Sequence, residues 1–149
     1  MGYSREIYEA IPHRPPFLWV DAIVSSDART LVTEKHIATD LDFFTGHYPG
    51  YPIMPGVLLC EAVFQTGALF MSRMLQNPGS TVSDNTKIPV LTRIKKAKFK
   101  REVKPGETIR MQVTLDEKIG NVWFFKGKVM VGDQVAVKVE FGCALTDRL

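Results

Sequence analysis

The chain has 149 residues, and we expect a single domain over residues 1–149. Its 19 basic and 16 acidic residues leave a formal net charge of +3, which is too small to imply nucleic-acid binding by itself. Two cysteines do not make the disulfide framework of a secreted protein, and the first ten residues contain no apolar signal core. The composition therefore predicts a cytoplasmic protein.

Two strands are expected early in the chain, at about residues 17–25 and 30–38. His13 precedes them in a proline-rich turn, which favours an orienting hydrogen bond over catalysis, and we assign no role to His36. The dispersed histidines and the two internal cysteines have no metal-ligand spacing. The sequence therefore implies neither a metal nor another cofactor.

His47 lies where the chain cannot be regular, because prolines and glycines interrupt residues 48–56. Loops held by rigid elements often carry catalytic groups. A single loop histidine is more often a surface or hydrogen-bonding residue than a catalyst. Its titration near neutral pH nevertheless suits a general base.

A long apolar helix is predicted directly after this loop. Pro55 and Gly56 suit its start, and the pattern continues to about Gln76, a length of ~30 Å at 1.5 Å per residue. Polar residues interrupt the apolar stretch before about 18 residues accumulate, so we reject a membrane span. A helix that is apolar on all sides is buried, so this one should cross the centre of the fold.

Glu61 is the only carboxylate between Val57 and Met71. A buried carboxylate must be paired, hydrogen-bonded or kept neutral by a raised pKa. Either it is a structural group bonded to backbone or to the nearby His13 or Arg14, or it is a functional acid. Gln65, one turn further along the same face, could orient it or could be an ordinary buried glutamine.

The first amides of this helix add a third type of group. The N–H groups of Gly56 and Val57 have no partner within the helix and lie at the positive end of its dipole, so they could hold a developing oxyanion. A base, an acid and oxyanion donors then lie on one short segment. This pattern predicts an acid/base active site.

The second half of the chain predicts an antiparallel meander. Apolar residues alternate with polar ones from Ile109 to Leu115, and with small or charged ones from Val135 to Leu145. Turns are expected at residues 119–121 and 132–133, and a flexible loop at residues 77–86. Strands, a central helix and further strands indicate an α+β fold.

A basic stripe lies between residues 93 and 104. In a strand, Lys96, Lys98 and Lys100 would share one face, while Ala97 and Phe99 would point inward. Lysines often protect an edge strand from aggregation, and that explanation is sufficient for the stripe by itself. Docking of an acidic partner is the alternative.

Three segments of the chain resemble one enzyme family. They are GHYPGYPIMPGVLLCEA at 46–62, IPHRPPFLWVDAI at 11–23 and KAKFKREVKPGETI at 96–109. They are similar to the (3R)-hydroxyacyl-[acyl carrier protein] dehydratases of fatty acid synthesis, and the resemblance covers nearly the whole chain. It implies a hot-dog fold, in which a curved antiparallel sheet wraps around one long central helix.

The resemblance also implies roles for these residues and a partner. His47 and Glu61 match the family's catalytic pair, which comes from two protomers of a homodimer, and Gly56 matches the amide that polarises the thioester carbonyl. Glutamate at position 61, where the related dehydratase-isomerases have aspartate, favours dehydration without isomerisation. Acyl carrier protein is the expected partner, with the basic stripe as its docking surface and a trimer of dimers as a further assembly.

The expected reaction is loss of water from a 3-hydroxyacyl thioester. His47 would remove the C2 proton, and a protonated Glu61 would give a proton to the departing hydroxyl. A scheme in which His47 alone moves the proton and Glu61 positions water stays open. Two other functions also remain: an acyl thioesterase, and a non-catalytic acyl-binding subunit.

Overall fold

A computed structural model of the chain describes residues 4–76 and 87–147. Its elements are helix α1 (Arg5–Ala10), strands β1 (Ala22–Ser26) and β2 (Thr30–His36), a 3₁₀ turn (Asp42–Thr45), helix α2 (Gly56–Leu75), and strands β3 (Lys87–Phe99), β4 (Thr108–Ile119), β5 (Val122–Val131) and β6 (Gln134–Asp147). The strands of this part of the chain form a sheet in the order β1-β2-β4-β5-β6-β3, and each neighbouring pair is antiparallel. This arrangement confirms the predicted α+β class.

Helix α2 has the predicted bounds and is buried along most of its length. It packs against strands β2 to β6, so the sheet curves around it. Glycines allow the closest approaches. A Cβ atom on Gly127 would lie 2.3 Å from Cγ1 of Val63, and one on Gly67 would lie 2.9 Å from the ring of Phe141. The sheet can enclose the helix because these positions carry no side chain.

Strands β4, β5 and β6 form the predicted meander. Two-residue turns join them, and Gly120 and Gly132 have positive φ angles of 62° and 59° in these turns. Ile109, Met111 and Val113 are buried on the helix side of β4, as their alternation predicted. The meander supplies the middle of the sheet.

The first part of the chain differs from the prediction. Strand β1 begins at Ala22 rather than near residue 17, because the backbone of Phe17 and Trp19 is hydrogen-bonded to the side chain of Gln65 on α2. Strand β2 ends at His36 rather than 38. Helix α1 was not predicted, since six residues are too short for a clear period. The loop predicted at residues 77–86 lies outside the described residues.

Strand β3 is an edge of the sheet and begins earlier than the basic stripe indicated. Ala97 and Phe99 are opposite the buried Val139 and Val137, so they face the helix side as predicted. Both are nevertheless exposed, Phe99 by 57%, because nothing covers this edge within the described part of one chain. The expected burial of these two side chains is therefore wrong for a single protomer.

Helix α2 is long and apolar enough to cross a membrane by length and composition alone. However, 67% of its most apolar window is buried inside the fold. The core helix of a folded domain passes the same test, so its length does not by itself indicate a membrane span.

Candidate active site

The backbone around His47 fixes the position and the tautomer of its ring. Its N–H donates to the Phe43 carbonyl at 2.8 Å, and its Nδ1 lies 2.8 Å from the Ile53 carbonyl oxygen. A carbonyl only accepts, so Nδ1 carries the hydrogen of the neutral ring and Nε2 keeps a lone pair. Tyr48, the next residue, turns the loop with a φ of 56°. The half-buried imidazole can therefore accept a proton at Nε2.

The start of α2 supplies unpaired backbone donors after this loop. The amides of Leu58 and Leu59 donate to the Pro55 carbonyl, whereas those of Gly56 and Val57 have no acceptor within residues 4–76 and 87–147. The positive end of the helix dipole adds to the potential at both groups. They can stabilise an oxygen on which negative charge develops.

Edge strand β3 reaches the start of helix α2. A Cβ atom at position 56 would lie 2.7 Å from Cε1 of Phe99, so only glycine allows this ring to lie against the backbone. The ring provides an apolar wall beside the two donors. An apolar wall lowers the local dielectric constant on that side, which strengthens the electrostatic effect of the donors.

Glu61 is held on α2 in a largely apolar environment. Its side chain is 22% exposed, and its Oε2 accepts a hydrogen bond of 2.8 Å from Nε2 of Gln65. Burial raises the pKa of the Glu61 carboxyl, while the Gln65 hydrogen bond opposes that shift. A carboxyl group whose pKa is raised in this way can act as a general acid.

The alternative role of Glu61, a structural carboxylate bonded to His13 or Arg14, is only partly supported. Nε2 of His13 lies 3.7 Å from Oε2 of Glu61, which is beyond hydrogen-bonding distance. Arg14 donates instead to the carbonyls of Tyr8, Ile11 and His13. Burial lowers the pKa of His13, which disfavours a charged partner for the carboxylate. Glu61 is thus oriented by Gln65 and is not neutralised by a cation among the described residues.

The base and the acid are not bonded to each other within one chain. Among the described residues, no hydrogen bond or ion pair joins His47 and Glu61. Gly56 and Glu61 are separated by five helical residues and so point about 140° apart around the axis of α2, at roughly 100° per residue. Gly56 faces Phe99 of β3, whereas Glu61 faces the amino-terminal segment at His13. We call these two groups, His47 with Gly56 and Glu61 with Gln65, the half-sites of the chain.

The two cysteines are free and buried, as the sequence predicted. Burial, and secondarily the charge of Glu61, raises the pKa of Cys143 to about 12. Burial also raises the pKa of Cys60. Neither thiol is poised as a nucleophile. In the part of the chain that the structure describes, no cluster of His, Cys, Asp and Glu could hold a metal ion.

The outer surface of the sheet carries a larger basic patch than the sequence indicated. Strand register places Lys138 of β6 directly between Lys98 of β3 and Lys128 of β5. The next row places Glu140 between Lys96 and Lys126. With Lys100, we call these six residues the lysine face: Lys96, Lys98, Lys100, Lys126, Lys128 and Lys138.

The lysine face lines a shallow groove of about 490 Å³ with Gln112 and Thr114. None of its six ammonium groups forms an ion pair with a carboxylate among the described residues. Directly opposed like charges destabilise a sheet. Glu140 also lines the groove, so the groove presents six positive charges and one negative charge, and a negatively charged partner could neutralise the excess.

A FabA-like domain model matches residues 11–140 of the chain. The 3-hydroxyacyl-[acyl-carrier-protein] dehydratase FabZ of Verminephrobacter eiseniae is 36% identical over 140 residues, which cover 93% of this chain and 91% of that protein. The protein of the same name from Pelotomaculum thermopropionicum is 40% identical, over 91% of this chain and 92% of that protein. The one from Rickettsia massiliae is 38% identical, over 96% of this chain and 95% of that protein.

Solved structures match the fold. A chain of the dehydratase heterocomplex ApeI:P from Xenorhabdus doucetiae has a TM-score of 0.78 at 12% identity. The match covers 95% of this chain and 91% of that chain. A thioesterase from Haemophilus influenzae has a TM-score of 0.59 at 14% identity, with 85% of this chain and 78% of that chain covered. At such identities the likeness shows the fold alone, and it confirms the predicted hot-dog fold.

Proposed function

Because the chain belongs to the 3-hydroxyacyl-[acyl-carrier-protein] dehydratase family, we propose that it removes water from (3R)-3-hydroxyacyl groups on acyl carrier protein to give trans-2-enoyl groups. The observation that carries this proposal is the set of groups on one segment: a fixed His47, a Glu61 whose pKa is raised by burial, and two unpaired amides. The reaction serves fatty acid or related lipid biosynthesis, and the two free thiols suit a cytoplasmic location.

The thioester carbonyl accepts hydrogen bonds from the amides of Gly56 and Val57, so negative charge on its oxygen is stabilised as C2 loses its proton. Nε2 of His47 takes that proton. The C2 electron pair forms the C2=C3 double bond, and the C3–O bond breaks. Glu61 gives its proton to the departing hydroxyl, which leaves as water, and the reverse hydration uses the same groups.

We propose a homodimer in which each site combines His47 of one protomer with Glu61 of the other. The opposite orientations of the two half-sites support this, as does the edge of β3, where Val90, Leu91, Ile94 and Phe99 are 38–57% exposed. A long, unpaired edge strand with an exposed apolar face favours pairing with another strand. Two copies of β3 can pair antiparallel about a two-fold axis.

The carrier protein docks on the lysine face in this proposal. Acidic side chains of the carrier would neutralise the opposed lysines, and Lys98 and Lys100 flank Phe99, whose ring lies on Gly56. The docking surface and the oxyanion donors therefore lie on opposite faces of the sheet, at the same end of strand β3. Because exposed charges are screened by salt, the KM for a carrier-linked substrate should rise with ionic strength, and the KM for a pantetheine thioester should not.

The activity test follows the ultraviolet absorbance of the enoyl thioester during incubation with 3-hydroxybutyryl and crotonyl thioesters of the carrier. Reversible interconversion by the wild type and its loss in His47→Ala are expected. Release of free thiol without interconversion would instead identify a thioesterase. Tight binding of acyl thioesters without turnover at any chain length would identify a binding subunit.

A mixing experiment tests the shared site. His47→Ala and Glu61→Gln homodimers should each be inactive. Random exchange of their chains should restore roughly one quarter of wild-type activity, since about half of the dimers are mixed and each mixed dimer has one intact site of two. Light scattering verifies the dimer mass before and after exchange. No recovery after verified exchange would place both residues of a site in one chain.

A further inference from the structure

The side chain of Gln65 is fully buried and all of its polar atoms are bonded. Its Oε1 accepts the N–H of Trp19 at 2.7 Å. Its Nε2 donates to the carbonyl of Phe17 at 2.8 Å and to Oε2 of Glu61 at 2.8 Å. The amide therefore joins the amino-terminal segment to the catalytic face of α2.

The two backbone groups fix the orientation of this amide. The N–H of Trp19 can only donate and the carbonyl of Phe17 can only accept. A flipped Gln65 amide would place its NH₂ against the Trp19 N–H, and its oxygen against the Phe17 carbonyl. Both pairs of buried polar groups would then lose their hydrogen bonds, which is strongly unfavourable, so the flipped state is excluded. Gln65 can act toward Glu61 only as a donor.

We propose that Gln65 is a positioning residue that keeps Oε2 of Glu61 an acceptor, so that the acid proton of Glu61 resides on Oε1. A carbonyl oxygen accepts the Gln65 N–H well in the neutral acid, whereas a protonated Oε2 would offer a poorer acceptor. The proton is then held on the oxygen that Gln65 leaves free. This inference rests on the proposed role of Glu61 as the acid.

The other titratable groups around Glu61 do not substitute for Gln65. His13, on the amino-terminal segment, is 3.7 Å from Oε2, and Cys143, on β6, has a thiol that stays protonated near neutral pH. Gln65 also stabilises the charged form of Glu61 by donating to it. Removal of this donor should therefore raise the pKa of Glu61 and move the alkaline limb of the activity profile to higher pH.

Nuclear magnetic resonance of the ¹⁵N-labelled full-length protein tests the hydrogen bond without a change in the buried amide. The side-chain amide signals of Gln65 should shift with pH, and the midpoint of this shift should equal the midpoint of the alkaline limb of kcat/KM. The shift should be absent in Glu61→Gln. Both amide protons should remain protected from exchange on the acidic side of the midpoint. Loss of protection of one of them there would place the proton on Oε2 and overturn the proposal.

Two variants test the effect on catalysis. Gln65→Met keeps the length of the side chain and removes its hydrogen bonds, and we expect kcat to fall about 10- to 100-fold with little change in KM. Thr66→Val is the matched control, because Thr66 is equally buried and bonds to Ala62 and Thr33 rather than to Glu61. It should lower stability and leave the pH profile unchanged.

If the pH profile and kcat of Gln65→Met match those of Thr66→Val, the positioning role of Gln65 is overturned. If Gln65→Met does not fold, the amide titration of the wild type decides. If the wild type shows no dehydratase turnover, the proposed function fails. The pH dependence of the Gln65 amide signals, and its absence in Glu61→Gln, then still shows whether Gln65 holds Glu61, since this comparison needs no activity.

Discussion

Replacing Lys138 with glutamate should stabilise the fold and weaken carrier recognition in the same variant. Lys138 lies directly opposite Lys98 and Lys128, at positions where side chains are about 5 Å apart. Opposed unlike charges contribute roughly 0.2–1 kcal/mol per pair, and opposed like charges destabilise. The substitution converts both pairs, with Lys98 and with Lys128, from like to unlike, so it should add about 0.5–2 kcal/mol to the free energy of unfolding at low salt. The same change alters the charge of the lysine face by two units.

Urea unfolding at low and high salt measures the first effect, and kcat/KM with carrier-linked and pantetheine thioesters measures the second. We expect kcat/KM for the carrier-linked substrate to fall roughly tenfold or more, with little change for the small substrate. Lys118→Glu is the control, since Lys118 lies outside the lysine face, against Trp123. Unchanged turnover of the carrier-linked substrate, or an equal loss with both substrates, would refute docking on this face.

Two further predictions concern stability. Because the pKa of Glu61 is raised in the folded state, that state holds its proton more tightly than the unfolded chain, and wild-type stability should fall as pH rises above about 4.3. Glu61→Gln should therefore raise the melting temperature relative to wild type at pH 8 but not at pH 4, and equal differences at both values would contradict this. Gly127→Ala should lower the unfolding free energy by about 1–3 kcal/mol, because its Cβ would overlap Val63. Gly46→Ala, with its nearest neighbour at 3.9 Å, should have little effect in the same denaturation assay.

Local patterns were sufficient to predict α2 and the meander. A long, predominantly apolar run defines the helix, and strict alternation defines β4 and β6, because each signal depends only on neighbours in the sequence. Alternation could not locate the start of β3, because Ile88 to Leu91 have none. Pro89 occurs there, in a position that an edge strand tolerates.

Parts of the site that are close in the sequence could be predicted, and parts that are close only in space could not. His47, Gly56 and Glu61 could be predicted together because they lie within one short segment. Lys138 could not be added to the basic stripe, since β6 is the neighbour of β3 in space but not in sequence. The orienting role of Gln65 was open for a similar reason, because its two backbone partners are 46 and 48 residues away.

Edge strand β3 links the assembly of the protein to its chemistry. One of its faces carries the exposed Leu91, Ile94 and Phe99, whose ring lies on Gly56, and the other carries Lys96 and Lys98 of the lysine face. Covering the apolar edge with a second copy would shield Phe99 from water and bring a second α2 toward the unpaired amides. Dimerisation would then complete the catalytic pair, exclude water from the oxyanion donors and double the basic surface offered to the carrier. A substitution such as Ile94→Lys, which places charge on the paired edge, should therefore abolish dimerisation and turnover together, even though Ile94 has no part in the chemistry.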